Sequence, residues 1–293
     1  VRTDGVPITT VTTPAKLNLI LKVVGRRADG YHDLVSLMVP VNLTDTLTFS
    51  PGPRGIALSC RPDVLPKRQG NLVFRAASTF YARIEKKPFL SISLTKQIPV
   101  AAGLGGGSSD AAATLKALNR REGNPLDRET LAETALTLGA DVPFFLQNLP
   151  AIARGVGEQL EPVTPWPGYW YVIVTPPLSV STAWVYGNLK LELTTPENSS
   201  IVNPLRRDWT RIGDLLENDL ETVTAARYPI IGYIKSLLLK AGAEGALMSG
   251  SGPSVFGVFR SEEAANSAKM ALSSRVEGTV FALQDFRDSP PEP

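Results

Sequence analysis

The chain has 293 residues, 43% apolar and 20% charged, a globular composition long enough for two domains, which excludes global disorder. A net charge of +2 is too near neutral to imply a surface for nucleic acid or an anionic membrane. No apolar run reaches the roughly 18 residues of a membrane span, the opening V-R-T-D-G-V-P-I-T-T lacks a secretory apolar core, and Cys60, the single cysteine, forbids an intrachain disulfide; a cytoplasmic location is expected.

Thr10 to Val24 reads as a strand. From Lys16 it alternates, with Lys16, Asn18, Ile20 and Lys22 on one face and Leu17, Leu19, Leu21 and Val23 on the other. Gly25 to Leu34 is a turn, signalled by Asp29-Gly30, followed by a polar-aromatic cluster. His32 is the only histidine, too isolated for a metal site, but beside Tyr31 it offers stacking and a hydrogen-bonding edge that suit a base. Leu43 to Leu58 holds two β-rich runs around P-G-P-R-G, a hairpin pattern. Asn71 to Lys86 puts Val73, Ala77, Phe80 and Ile84 at helical spacing behind a capping Asn71, and Leu90 to Gln97 alternates as a strand.

That strand feeds Pro99 to Ala113, P-V-A-A-G-L-G-G-G-S-S-D-A-A-A, where four glycines (Gly103, Gly105, Gly106, Gly107) fall within five positions. Glycine permits positive φ and close backbone approach to a ligand. Successive inward N–H groups form an anion nest, and the helix beginning near Ser108 adds its unpaired donors and positive dipole end. Loop and helix make a phosphate cradle. It is not a Walker A loop, since no Lys-Ser/Thr follows the glycines. Ser108 to Arg121 is the helix behind the loop, striped by Ala111, Leu115 and Leu118, with Asp110 and the serines suited to its first turn. Asp127 to Leu138 is a second helix.

Asp141 follows a Gly-Ala turn in G-A-D-V-P-F-F, and Pro143 starts a further helix. Ala153 to Glu158 reads as a turn. Trp170 to Thr175 is a strand, Ser181 to Tyr186 starts a helix, and 191–210 reads as a loop. Ile212 to Thr224 and Ile230 to Ala241 read as helices, Ala246 to Phe259 as strand, glycine turn and strand or helix entry, and 286–293 as a disordered tail.

Together these motifs resemble the galactokinase/homoserine kinase/mevalonate kinase superfamily, over roughly residues 13 to 285. P-A-K-L-N-L resembles its first motif, P-x-x-x-G-L-G-G-G-S-S-D-A-A its phosphate motif, and the segment 246–259 its third. The resemblance implies an α+β, two-domain small-molecule kinase: a ribosomal-protein-like ATP-binding domain over 1–160 and a ferredoxin-like domain over 161–285. The active site would lie in the cleft between them. It further implies ATP and Mg²⁺, with Pro99, Val100, Ala101, Ala102, Gly103, Leu104, Gly105, Gly106, Gly107, Ser108 and Ser109 around the phosphates and Asn71 and Lys96 near the adenine. Lys16 and Asp141 become the catalytic pair. A lysine about 4 Å from a carboxylate interacts by roughly 4 kcal/mol at an effective dielectric near 20, so Asp141 is expected chiefly to position the acceptor hydroxyl. Metal ligands stay unassigned, with Ser108 and Ser109 as the available hydroxyls.

D-G-Y-H-D-L narrows the resemblance to a branch that grips cytosine. Tyr31, His32, Asn18, Thr182 and Tyr186 are then the substrate residues, with Tyr186 across the base from Tyr31. The expected substrate is a small molecule, a cytidine-diphosphate-bearing methylerythritol phosphorylated on its 2-hydroxyl in non-mevalonate isoprenoid synthesis. The other readings are a kinase of another small alcohol, a nucleotide sensor and an RNA-binding module. The presence of Lys16 and Asp141 weighs against the sensor, and the near-neutral charge against RNA. Oligomeric state is not readable from the sequence.

Overall fold

The computed structural model describes residues 8–28, 30–63, 65, 68–189 and 208–287. The fold is α+β. Its elements are β1 (Thr9–Arg26), β2 (His32–Arg61), α1 (Leu72–Arg83), β3 (Phe89–Thr95), α2 (Gly106–Arg121), α3 (Arg128–Leu138) and α4 (Phe144–Gln147). They continue as β4 (Ala151–Gly155), β5 (Gln159–Pro162), β6 (Trp170–Thr175), α5 (Thr182–Asn188), β7 (Glu217–Asn218), α6 (Asp219–Arg227) and α7 (Ile230–Lys240). The chain closes with β8 (Gly245–Met248), β9 (Val255–Phe259), α8 (Glu262–Ser273) and β10 (Thr279–Gln284). Two compact units are assembled from interleaved spans. One takes Val1–Ala15, Leu43–Val100 and Gly105–Gln147; the other takes Lys16–Asn42, Ala101–Leu104 and Asn148–Pro293.

In the first unit, the two β-rich runs of β2 do not form the expected hairpin. Both pair with β3: the register falls from Thr46 opposite Thr95 to Pro51 opposite Leu90, then rises from Arg54 opposite Phe89 to Arg61 opposite Thr95. The chain folds over the end of β3 at Gly52, where a Cβ would lie 2.5 Å from the Leu90 carbonyl carbon. A hairpin pattern in sequence cannot reveal a third strand inserted between its arms. α1 forms as its spacing predicts: Val73, Ala77 and Phe80 are buried and the Asn71 side chain accepts from the Val73 N–H. Each large apolar side chain so buried contributes about 1.5–3 kcal/mol. α1 packs on α2, and Asp127 caps α3.

In the second unit one sheet runs β5-β4-β2-β1-β7. Both faces of β1 are covered here, including the face carrying Lys16 and Asn18. The other sheet is antiparallel, in the order β10-β6-β9-β8. With helices between β6 and β8 and between β9 and β10, this is the ferredoxin-like βαββαβ arrangement. Its core joins Val172, Val174, Ile234, Leu238, Met248 and Phe259.

Three further expectations are corrected. The predicted helix 212–224 is broken into a 3₁₀ turn (Trp209–Leu215), β7 and α6. Asn218 is extended because it works in two directions: its Oδ1 caps Leu220 N–H, and its Nδ2 donates to the carbonyls of Met248 and Gly250 at 2.7 and 2.8 Å. Ala153 to Gly155 belongs to β4, paired with Leu34–Ser36, and the turn comes only after it. α2 starts two residues early, so Asp110 lies beyond its first turn. The loop expected over 191–210 falls outside the described residues up to 207. So does the tail from 288, whereas Phe286 N–H still donates to the Pro40 carbonyl.

Candidate active site

Within the first unit, the strand leading into the glycine-rich segment and the helix leaving it share a buried ion cluster. Lys96, at the end of β3, donates to Asp45 and, at 2.8 Å, to Asp110 on α2. Asp45 also accepts from the backbone N–H groups of Gln97 and Ile98 at 2.6 and 2.9 Å. The strand exit and the helix that follows the loop are thereby clasped together. Burial alone would lower the Lys96 ammonium, but the Asp110 and Asp45 carboxylates raise it overall. One ammonium cannot compensate two buried carboxylates. Asp110, whose Oδ1 has no partner, is pushed by burial up to about 7 against the pull of Lys96. Lys96 Nζ is thus held inside the unit by two acids. Gly106 makes room for it: a Cβ there would sit 3.0 Å from Nζ and 2.9 Å from Ile98 Cγ2.

α2 is entered from Gly105, at φ 71°, with no side chain capping its first turn. First-turn N–H groups of a helix lack intrahelical partners and suit an anion. Gly107 is exposed, Ser108 is half-buried, and Ser109 is fully buried and hydrogen-bonded to Thr13. Of the two serines, Ser108 is the one with access to a ligand. Asn71 caps α1, and its Nδ2 donates to Cys60 Sγ at 3.7 Å. Asp141 is half-buried in the turn that leads through Pro143 into α4.

Within the second unit, the loop residues Ala101 to Leu104 are tied down by their carbonyls. Ala102 O accepts from Ser254 N–H at 3.3 Å, Gly103 O from Ser249 Oγ at 3.0 Å and Leu104 O from Lys16 N–H at 2.9 Å. Positive φ recurs at Ala101, Gly103 and Gly105. At Ala101 this conformation disfavours a side chain; Pro99 is half-buried and Val100 exposed. Lys16 and Asn18, 4% and 3% exposed, are joined by a hydrogen bond from the ammonium to the amide oxygen. Thr182 bonds Ser251 at 2.8 Å.

The aromatic residues arrange differently from a Tyr31–Tyr186 sandwich. Tyr186 stacks on His32, with centroids 5.0 Å apart and planes at 26°, and Tyr31 is 63% exposed. Burial, then the charge of Arg26, lowers the His32 imidazole, keeping it neutral near pH 7. Asp45, Thr13, Ser36 and Ser249 were not singled out by sequence reasoning. Their signal is faint: an acid or hydroxyl of a kind that strands and glycine turns commonly carry. Among the described residues no group of three or more His, Cys, Asp or Glu forms a metal cluster, and no helix is long and apolar enough to cross a membrane.

Comparison with known proteins agrees with this construction. Residues 71–148 match the GHMP kinases N terminal domain and 200–278 the GHMP kinases C terminal domain. A 4-diphosphocytidyl-2-C-methyl-D-erythritol kinase of Syntrophotalea carbinolica is 47% identical over 277 residues, covering 94% of this chain and 98% of the relative. A crystal structure of a 4-(cytidine 5'-diphospho)-2C-methyl-D-erythritol kinase superposes with a TM-score of 0.80 at 36% identity, covering 94% of this chain and 99% of that one. Homoserine kinase from Cytophaga hutchinsonii shares the fold alone, with a TM-score of 0.71 at 20% identity over 97% of this chain and 96% of that one. The chain belongs to the GHMP kinases and, within them, to the family of the 4-diphosphocytidyl-2-C-methyl-D-erythritol kinases.

Proposed function

We propose that this chain transfers the γ-phosphoryl group of ATP to the 2-hydroxyl of 4-diphosphocytidyl-2-C-methyl-D-erythritol, a step of non-mevalonate isoprenoid synthesis, releasing ADP and the 2-phosphate. The observation that carries the phosphate side is the uncapped glycine entry into α2; the whole-length relatives supply the acceptor. Phosphoryl transfer asks a protein for positioning and charge stabilisation rather than covalent chemistry. The first turn of α2 offers aligned N–H donors, and Ser108 an accessible hydroxyl. The half-buried Ser108 hydroxyl and Asp141 carboxylate have the hard oxygen donors that would hold a Mg²⁺ ion, which would supply positive charge to offset the phosphates.

Asp141 is assigned to hold the acceptor hydroxyl and to receive its proton late. The Lys16 ammonium, steered by Asn18, offsets charge on the transferring group. Tyr31, His32, Thr182 and Tyr186 are assigned to the cytidyl end, and His32, neutral, can present one donor and one acceptor to a base edge. Asn71 and Lys96 are assigned to the adenine side. For Lys96, whose ammonium is engaged by two acids, that role falls to its backbone. The enzyme is read as cytoplasmic, acting on a free small molecule.

The test is ADP release from Mg-ATP, coupled to NADH oxidation, with the diphosphocytidyl substrate and with homoserine, mevalonate and methylerythritol phosphate as controls. Turnover confined to the cytidyl substrate is expected. Turnover of another alcohol would keep the phosphate loop and remove the cytosine assignment.

A further inference from the structure

Ser36 lies on β2 with 1% of its surface exposed. Its hydroxyl donates to the Ile20 carbonyl at 2.7 Å, and its oxygen accepts from Asn18 Nδ2 at 2.8 Å. A hydroxyl has one proton, and a carbonyl has none to give in return. The Ser36 proton is therefore committed to Ile20, and toward Asn18 the oxygen can only accept. Asn18 must turn its NH₂ group to Ser36 and its carbonyl oxygen the other way, where it receives Lys16 Nζ. The same orientation follows from the opposite end, because an ammonium can only donate. The relay from Lys16 through Asn18 and Ser36 to Ile20 thus has one self-consistent direction.

We infer that Ser36 is a positioning residue for phosphoryl transfer: it fixes the orientation of the Asn18 amide and, through it, the seat of the Lys16 ammonium. The inference rests on the proposed roles of Lys16 and Asn18. Ser36 touches no substrate in this scheme. A buried NH₂ deprived of its acceptor loses a hydrogen bond and its reason to face one way. An inverted amide would present N–H to N–H at Lys16, which is repulsive.

The test compares Ser36→Ala with wild type in the coupled ADP-release assay. We expect kcat to fall by about 10- to 100-fold, the range one unsatisfied buried donor implies, with KM for ATP within about twofold. Ser36→Thr, which keeps the hydroxyl, should restore kcat to within about threefold. In an Asn18→Ala background, Ser36→Ala should add no further loss, a result that mere destabilisation would not give. Wild-type kcat in Ser36→Ala, or losses that multiply in the double variant, would overturn the inference. If Ser36→Ala does not fold, Ser36→Cys, with its poor acceptor, carries the same comparison. Failure of the reaction assignment is distinguishable, since wild type would then not turn over the cytidyl substrate. The relay is still read by NMR in that event: Asn18 side-chain amide protons should exchange slowly in wild type and faster in Ser36→Ala, and equal rates would overturn it.

Discussion

Gly107→Ala separates the phosphate role of the loop from its folding. Gly107 is the second residue of α2, exposed, and an added Cβ would meet only Leu72 Cδ1, at 3.4 Å. Its φ lies outside the left-handed region. Replacing glycine where alanine already fits stabilises by about 0.4–1 kcal/mol, a rise of roughly 1–4 °C in Tm for a chain of this size. Helical Cα–Cβ bonds tilt toward the N-terminus, so the new methyl projects into the space where first-turn N–H groups meet an anion. KM for ATP should therefore rise at least about tenfold, equivalent to ~1.4 kcal/mol, while Tm holds or rises. Gly103→Ala is the control. There φ is +77°, and a Cβ would overlap the Ser249 carbonyl oxygen and sit 3.1 Å from Gly252 N. The left-handed backbone alone costs alanine about 1–2 kcal/mol, so Tm must fall together with activity. Both quantities come from a thermal melt and an ATP titration in the ADP-release assay. Wild-type KM and kcat in Gly107→Ala would refute the assignment of α2 as the phosphate seat.

Asp45→Asn, which weakens an acceptor of the Lys96 ammonium and of two backbone N–H groups, should cost about 3–5 kcal/mol in a denaturant titration. Asp110→Asn should be tolerated. Because burial raises Asp110 from 3.8 to about 7, the folded protein holds a proton the unfolded chain has released, so stability falls as pH rises across that window. The slope should flatten in Asp110→Asn; an unchanged slope would mean another group is responsible. His32 has the opposite sign. Its lowered value means the unfolded chain binds the proton first, so stability falls as pH drops below 6.5 toward the folded value. KM for the cytidyl substrate should rise over the same range, and His32→Gln should remove that limb. Asp141→Asn should lower kcat by at least about 100-fold with acceptor binding retained, as isothermal titration would show; near wild-type turnover would remove Asp141 from the chemistry.

Local signals carried the elements with strong periodicity or caps. Asn71, Asp127 and Ser181 cap the helices they precede, and the apolar run Trp170 to Thr175 forms a strand of those bounds, buried on both faces. Legibility failed where distant chain decides. The β3 strand inserted between two runs of β2, and the strand at Glu217–Asn218 recruited by Ile20 and Leu21, have no signature within their own windows. The site divides in the same way. The glycines announce themselves by residue type and spacing, and Lys16 and Asn18 only through the resemblance of P-A-K-L-N-L to a family motif. Asp45 and Ser36 do not, because a polar residue within a strand acquires meaning only from what the fold sets opposite it.

The glycine run shows why motif and mechanism are not coextensive. Four glycines in a row of five positions read as one phosphate device, yet the structure gives each its own reason. Gly103 yields to the turn at Ser249–Gly252, Gly105 supplies the left-handed entry to α2, and Gly106 admits the Lys96 ammonium and the Ile98 side chain. Only at Gly107 do the contacts of the fold leave room for a methyl. Loop position alone would make the four equivalent. Backbone angle and contact make three of them requirements of folding; under the proposed function the fourth serves binding, and substitutions which spare stability while damaging nucleotide affinity should then cluster at Gly107 and its neighbour Ser108, where the first turn of α2 opens outward.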